Sequence, residues 1–146
     1  NNKNVILYKP EKIFFYRIRN YIAKILNYLI RNNCQNSFNF FNSGLANFIN
    51  NMDVDIINLH WINNEMISIK EIAEIKKPIV WTLHDMWAFC GTEHYTLNKR
   101  FIKGYSKLNN DSLVFDIPKF IWLKKYKYLK KKKISFISPS LWMLSK

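Results

Sequence analysis

Two short apolar runs, each followed by a histidine and separated by a helical pattern, constrain the fold of this chain more than any other feature. Residues 56–59 (IINL) run into His60, and residues 79–83 (IVWTL) run into His84. Between them, residues 67–77 place isoleucines and an alanine among lysines and glutamates at helical spacing. The pattern therefore predicts a strand, a helix and a second strand.

A helix between two apolar strands indicates a parallel βαβ unit, because parallel strands need a crossover whereas antiparallel strands can be joined by a tight turn. Both histidines then fall at the carboxyl edge of the sheet, where ligands bind in open α/β sheets. Neighbouring strands lie about 4.8 Å apart. If the two strands are adjacent, we expect His60 and His84 to share one wall of a crevice.

The residues before this unit predict one strand and two helices. Residues 5–8 (VILY) are consistent with a strand that Lys9-Pro10 ends, and residues 12–31 predict a basic amphipathic helix. Residues 32–51 predict a loop followed by a short helix through 45–49.

The residues after the unit predict a long loop and a further strand. Residues 97–116 lack periodicity and read as an irregular excursion of about twenty residues, a length that is usually functional. Residues 120–133 predict a helix that ends in a lysine run, and residues 134–137 (ISFI) a third parallel strand. Ser140 is placed to cap a helix after that strand. The fold class is α/β, with a Rossmann-like parallel sheet flanked by helices in one domain over residues 1–146.

The net charge of +13 is unevenly distributed along the chain. Residues 12–52 hold five basic and no acidic residues, residues 53–116 hold seven basic and nine acidic, and residues 117–146 hold nine basic and none acidic. Two basic flanks therefore enclose a near-neutral centre, which indicates anionic partners.

The basic helix over 12–31 has two interpretations. In one it packs on the sheet and its cations are solvated. In the other its Phe14, Phe15, Tyr16 and Tyr21 and its cations lie on an anionic membrane surface, as interfacial helices do.

No apolar run reaches the ~18 residues needed to span a membrane, and the given residues do not start with a short apolar run followed by a small-residue cleavage site. We expect a cytoplasmic protein, with peripheral attachment to the inner face of the cell membrane left open.

Cys34 and Cys90 are too few and too far apart for a disulfide framework, so we expect free thiols, with Cys90 semi-buried. The chain begins without Met and ends inside a helical pattern, so we expect it to be part of a longer protein.

Polar and aromatic residues follow both strands. His84 and Asp85 come directly after the second strand, where they could bind hydroxyls or transfer protons; alternatively, Asp85 caps the segment that follows. His60, Trp61 and the amides of Asn63-Asn64 follow the first strand, and such groups bind sugars or nucleobases. Trp61 could instead belong to core packing.

Two further sets of residues could bind ligands. Cys90, Glu93 and His94 offer sulfur, oxygen and nitrogen donors near the His84-Asp85 pair. Their spacing matches no standard zinc motif, so we expect no bound metal and no cofactor, and we keep His94 as a candidate substrate contact. Ser140, in Ser138-Pro139-Ser140, could help to bind an anion at a helix start or only cap that helix.

The segment that contains LHW and WTLHDMWAF resembles the N-terminal half of the family-four retaining glycosyltransferases, in the branch that makes capsular and extracellular polysaccharides. The resemblance covers residues 54–95, resumes at 133–146 and is faint over the first fifty residues. Such enzymes have two Rossmann-like domains in a GT-B fold; the N-terminal domain chiefly binds the acceptor, and the C-terminal domain binds the nucleotide sugar. The resemblance implies that His84 contacts the transferred sugar.

The chain departs from the family in three respects. The first strand with its Gly-rich loop and the whole donor domain are missing, so the resemblance implies that this chain alone transfers no sugar. In addition, the family often reads Gly-Gly-Cys-His-Tyr and further cysteines where this chain reads Gly91-Thr92-Glu93-His94-Tyr95.

The sequence therefore predicts the acceptor-side domain of a glycosyltransferase with a nucleotide-sugar donor and a saccharide or lipid-linked acceptor. His84 and Asp85 are the candidate catalytic residues. One alternative is a basic nucleic-acid-binding module in which aromatic residues within 119–133 stack on bases. Another is an interaction domain with a degenerate site.

Overall fold

The computed structural model describes residues 5–8, 13–30, 34–105 and 116–145. Within these ranges the secondary structure elements follow one another in the order α1 (Ile13–Ile30), α2 (Leu45–Asn50), β1 (Ile57–His60), α3 (Ile69–Glu74), β2 (Ile79–Thr82), a 3-10 helix (Lys99–Lys103), α4 (Ile117–Leu129), β3 (Ile134–Ile137) and α5 (Leu141–Leu144).

The three strands form one parallel sheet in the order β1-β2-β3. Leu59 pairs with Trp81, and Trp81 pairs with Phe136, so these side chains share one face of the sheet. The predicted βαβ unit and the predicted third parallel strand are confirmed. The protein is mixed α/β, with a small open parallel sheet flanked by helices.

The core combines buried residues from α2, α3, α4 and the sheet. Its members are mainly isoleucines and large aromatic residues, each contributing roughly 1.5–3 kcal/mol by burial. They include Phe38, Ala46, Ile49, Leu59, Ile69, Ile72, Ile79, Trp81, Trp87 and Ile121.

Helix α3 is shorter than the predicted 67–77. It begins after Ser68, whose side chain accepts a hydrogen bond from the Glu71 N–H while the Glu71 carboxylate accepts one from the Ser68 N–H. It ends at Glu74 because Ile75 is already extended, with φ −62° and ψ 121°. Pro78 also disfavours helical geometry in the residue before it. Helical spacing therefore located the helix but not its ends.

The predicted strand over residues 5–8 is wrong. Val5, Ile6 and Leu7 are exposed and carry no strand structure, because no strand among the described residues pairs with their backbone. Tyr8 instead reaches the loop before α2, where its hydroxyl donates to the Ser43 carbonyl at 2.7 Å. Lys9-Pro10 lies outside the described residues.

Helix α1 matches the predicted helix, and it packs against the core with its two other described cations exposed, as the first interpretation expects, but Arg19 departs from that interpretation. Arg19 is only 6% exposed and donates to the Asn42 carbonyl at 3.0 Å. Ala23, Leu26 and Ile30 follow Arg19 at helical spacing and pack against the core. The side of α1 that carries these four residues therefore packs on the core and on the loop before α2.

No described helix is long and apolar enough to cross a membrane. The predicted excursion over 97–116 contains the 3-10 helix in its first part, and its residues 106–115 lie outside the described ranges.

The Glu71 carboxylate joins α3 to the start of α2. It accepts hydrogen bonds from the backbone N–H groups of Ser43 at 2.9 Å, Gly44 at 2.7 Å and Ser68 at 2.9 Å. Burial by itself raises the pKa of Glu71, but these hydrogen bonds outweigh it and hold the pKa below its ordinary value.

We predict that Glu71→Gln lowers the free energy of unfolding by about 2–3 kcal/mol at neutral pH, because hydrogen bonds to a buried carboxylate are stronger than those to an amide. Urea unfolding measures the change. The carboxylate contributes fully above its ordinary pKa and loses its contribution as the pH falls through the lowered folded pKa, so the difference from wild type shrinks in acid. Glu74→Gln, at an exposed pair with Lys70, serves as the control and is expected to change little.

Candidate functional site

His60 and His84 meet at the carboxyl edge of the sheet. His60 ends β1, His84 lies two residues beyond β2, and His60 Nδ1 is 2.8 Å from His84 Nε2. The expected shared wall is therefore confirmed. Both rings are exposed, and one proton lies between them, because one nitrogen must donate and the other accept.

A shallow pocket lies beside the two histidines. Trp61, Asn63, Thr82, His84 and Asp85 are among the residues that line it. Trp61 is 40% exposed, whereas Trp81 and Trp87 are buried in the core. The pocket thus combines an exposed indole and an exposed imidazole with polar side chains in its wall.

The loop that carries Trp61 has a strained backbone. Trp61, Asn64 and Glu65 have φ angles of 42°, 53° and 57°, a region that costs about 1–2 kcal/mol for each residue other than glycine. The Glu65 carboxylate anchors the loop by accepting from the N–H groups of Asn39 at 2.5 Å and Phe40 at 2.8 Å. Such strain clusters at functional sites.

The Glu65 anchor is itself buried. Burial raises the pKa of Glu65 despite the backbone N–H groups that favour its charge. The strained loop is therefore held in place by the Glu65 carboxylate, which has little access to water.

Asp85 lies behind the pocket surface and is only 6% exposed. Its Oδ2 accepts from Asn63 Nδ2 at 3.0 Å and lies 2.7 Å from His94 Nδ1, and its Oδ1 accepts from the Trp87 N–H at 3.0 Å. Because a carboxylate only accepts, His94 Nδ1 carries the proton. Asp85 thus connects the loop after β1 with the loop after β2, and it caps its own following segment, as the alternative interpretation predicted.

His94 continues this network to Ser37. His94 Nε2 lies 2.8 Å from the Ser37 hydroxyl, so the order Ser37, His94, Asp85 has the connectivity of a hydrolytic triad. Ser37 is only 2% exposed, however, and its oxygen also accepts from the Asn64 N–H at 3.2 Å. No substrate carbonyl can reach that hydroxyl, so the network fixes the loops instead of attacking a substrate.

The predicted site residues therefore separate by accessibility. Trp61 and His84 are exposed at the pocket and His60 is exposed beside it, whereas Asn63 and Asp85 contribute to its wall from buried positions. His94, expected as a substrate contact, is 1% exposed and packs beneath the Trp61 ring, with centroids 5.9 Å apart.

Ser140 does not join the pocket. Its hydroxyl accepts from the Met143 N–H at 3.2 Å and caps α5, so the predicted cap is confirmed. A helix of four residues offers no anion site of its own.

The donors considered for a metal have other partners. Glu93 accepts from the Tyr105 hydroxyl at 2.8 Å. Cys90 is fully buried, not semi-buried as predicted, and burial together with the Glu93 charge raises the pKa of its thiol to about 12. In the described part of the chain no three His, Cys, Asp or Glu side chains are placed to hold a metal ion.

Helix α4 supports the loop behind the pocket through a buried lysine. Lys125 Nζ donates to the carbonyls of Trp87, Cys90 and Gly91 and lies 3.6 Å from the centroid of the Trp87 ring. Burial lowers the pKa of Lys125 well below its ordinary value. Gly91 is required here, since a Cβ at this position would lie 2.4 Å from the Pro118 carbonyl oxygen.

Sequence reasoning did not find Ser37, Glu65 or Lys125. Their partners are distant in sequence, Ser37 and His94 being 57 positions apart. No local pattern marks them.

Comparisons with protein-family models, with curated proteins and with solved structures found no match.

We predict that Asp85→Asn lowers the free energy of unfolding by about 2–4 kcal/mol, because an amide nitrogen would face the donors that Asp85 now accepts from. His84→Ala is expected to stay within about 0.5 kcal/mol of wild type, since its side chain is exposed. Urea unfolding measures both changes. An equal loss of unfolding free energy in the two variants would contradict the prediction that the buried Asp85 stabilises the loops and the exposed His84 does not.

The purified protein is expected to hold no stoichiometric zinc, because Cys90, Glu93 and His94 are committed to other contacts. Elemental analysis measures this directly, and about one zinc per chain would contradict the expectation.

Proposed function

We propose that the chain is the acceptor-side domain of a glycosyltransferase that moves a sugar from a nucleotide-sugar donor to a polysaccharide or lipid-linked acceptor. The observation that carries the proposal is the contact between His60 and His84 beside the exposed Trp61, at the carboxyl ends of two adjacent parallel strands. The sequence resemblance around LHW and WTLHDMWAF supports the same function.

The chemistry of this edge suits a saccharide. Imidazole nitrogens donate to and accept from hydroxyls, and the exposed Trp61 ring offers a face for the apolar side of a sugar ring. The Tyr95 hydroxyl donates to the His84 carbonyl at 2.8 Å and helps to hold that histidine in place. In this proposal His84 contacts the transferred sugar and Asp85 positions the loop that carries it.

The proposed wider architecture is a GT-B enzyme. The small parallel sheet supports a Rossmann-like N-terminal half, and the nucleotide sugar would be bound chiefly by a second domain. No cofactor enters the proposed reaction.

The nucleic-acid alternative is less well supported. Trp122 stacks on Tyr126 with centroids 5.8 Å apart, Phe120 lies against Phe40, and Lys125 is buried. These three rings and Lys125 therefore already have intramolecular contacts, and the paired histidines would have no role in a nucleic-acid-binding module.

Replacement of His84 tests the proposal in the full enzyme that contains this chain. We predict that His84→Ala lowers kcat for sugar transfer by about 10²–10⁴-fold, as expected for loss of a group that contacts the reacting sugar. Thermal unfolding of the variant should match wild type. Lys70→Ala, an exposed change on α3, is the control and should keep full turnover.

Unchanged turnover in His84→Ala would remove His84 from the site. A full-length protein that transfers no sugar from any nucleotide-sugar donor would favour an interaction domain with a degenerate site.

A further inference from the structure

Helix α1 carries a second apolar face that the fold does not cover. Ile18, Tyr21, Ile25, Tyr28 and Leu29 are between 38% and 75% exposed. At 3.6 residues per turn they fall within one sector about 100° wide. We refer to these five residues as the outer face of α1.

The outer face is distinct from the side of α1 that packs on the protein. Arg19, Ala23, Leu26 and Ile30 occupy a neighbouring sector and contact the core or the loop before α2. These contacts set the orientation of α1, and the described residues leave its outer face exposed. Single exposed apolar residues are ordinary, but a continuous row on one helix marks an interaction surface.

Cations border the outer face. Arg17 and Lys24 are exposed and lie beside its two tyrosines on the helix surface. Residues 12–52 contain no acidic residue, and the whole chain carries a net charge of +13. A partner for this face must therefore be apolar within and negatively charged at its surface.

We propose that the outer face of α1 binds the surface of an anionic lipid bilayer. Its isoleucines and leucine would enter the acyl boundary, its tyrosines would sit at the headgroup level, and Arg17 and Lys24 would meet lipid phosphates. A helix of 18 residues is about 27 Å long and would lie in the plane of the membrane. A second copy of this chain suits the face poorly, because it would bring like charges together. The proposal does not depend on sugar transfer.

Vesicle co-sedimentation with paired charge variants tests the role of the cations. Arg17→Glu/Lys24→Glu is compared with Lys131→Glu/Lys133→Glu, which makes the same change in net charge at exposed positions near the end of α4. On phosphatidylglycerol–phosphatidylcholine vesicles the α1 variant should bind weaker by on the order of 30-fold or more, since each cation near an anionic leaflet contributes about fivefold. The control should bind clearly better than the α1 variant.

A second pair of variants tests apolar insertion. Tyr21→Ser/Ile25→Ser removes apolar surface from the outer face, and Leu97→Ser/Ile102→Ser removes exposed apolar surface elsewhere. Wild type and the control should keep much of their vesicle binding at moderate salt, whereas the outer-face variant should lose it. Circular dichroism confirms that each variant remains folded.

Three results would overturn the proposal. They are equal loss of vesicle binding in a variant and its control, binding to single-stranded DNA that outlasts vesicle binding as salt rises, and a concentration-dependent dimer that Tyr21→Ser/Ile25→Ser abolishes. DNA binding through the same cations should fall steeply with salt because counterions are released.

Discussion

The buried carboxylate of Asp85 is the interaction on which the site depends. It receives hydrogen bonds from Asn63 after β1 and from His94 and Trp87 after β2, so one side chain sets the spacing of two loops that leave adjacent strands. A buried acceptor of this kind is stable only with its donors in place, because an unpaired charge in the interior is costly. The exposed histidines sit on the loops that this network holds.

The two neighbouring residues His84 and Asp85 differ in exposure, because His84 is exposed and Asp85 is buried. Asp85 is only 6% exposed, and both of its oxygens already accept hydrogen bonds from the two loops. The exposed His84 ring lies 2.8 Å, nitrogen to nitrogen, from the exposed His60 ring. A motif that reads in sequence as one catalytic unit thus joins one exposed side chain to one buried side chain that connects two loops.

Much of the central sheet could be predicted from sequence, because the period of apolar residues reports local structure directly. The strands that begin at residues 57 and 79 and the helix between them follow from that period. The orientation of α1 could not be predicted, since apolar residues occur on both of its sides and only tertiary contacts such as Arg19 with Asn42 select one. The hydrogen bond between Ser37 and His94 could not be predicted either, because it joins segments that are far apart in the chain.

Histidine-ring NMR during titration with saccharides tests the central claim most directly, because the chain has only three histidines and they occupy distinct environments. The account predicts that the ring signals of His60 and His84 shift with saccharide concentration while those of buried His94 stay in place. Shifts confined to His94, or no shift with any saccharide, would contradict the assignment of the paired histidines as a sugar-binding edge.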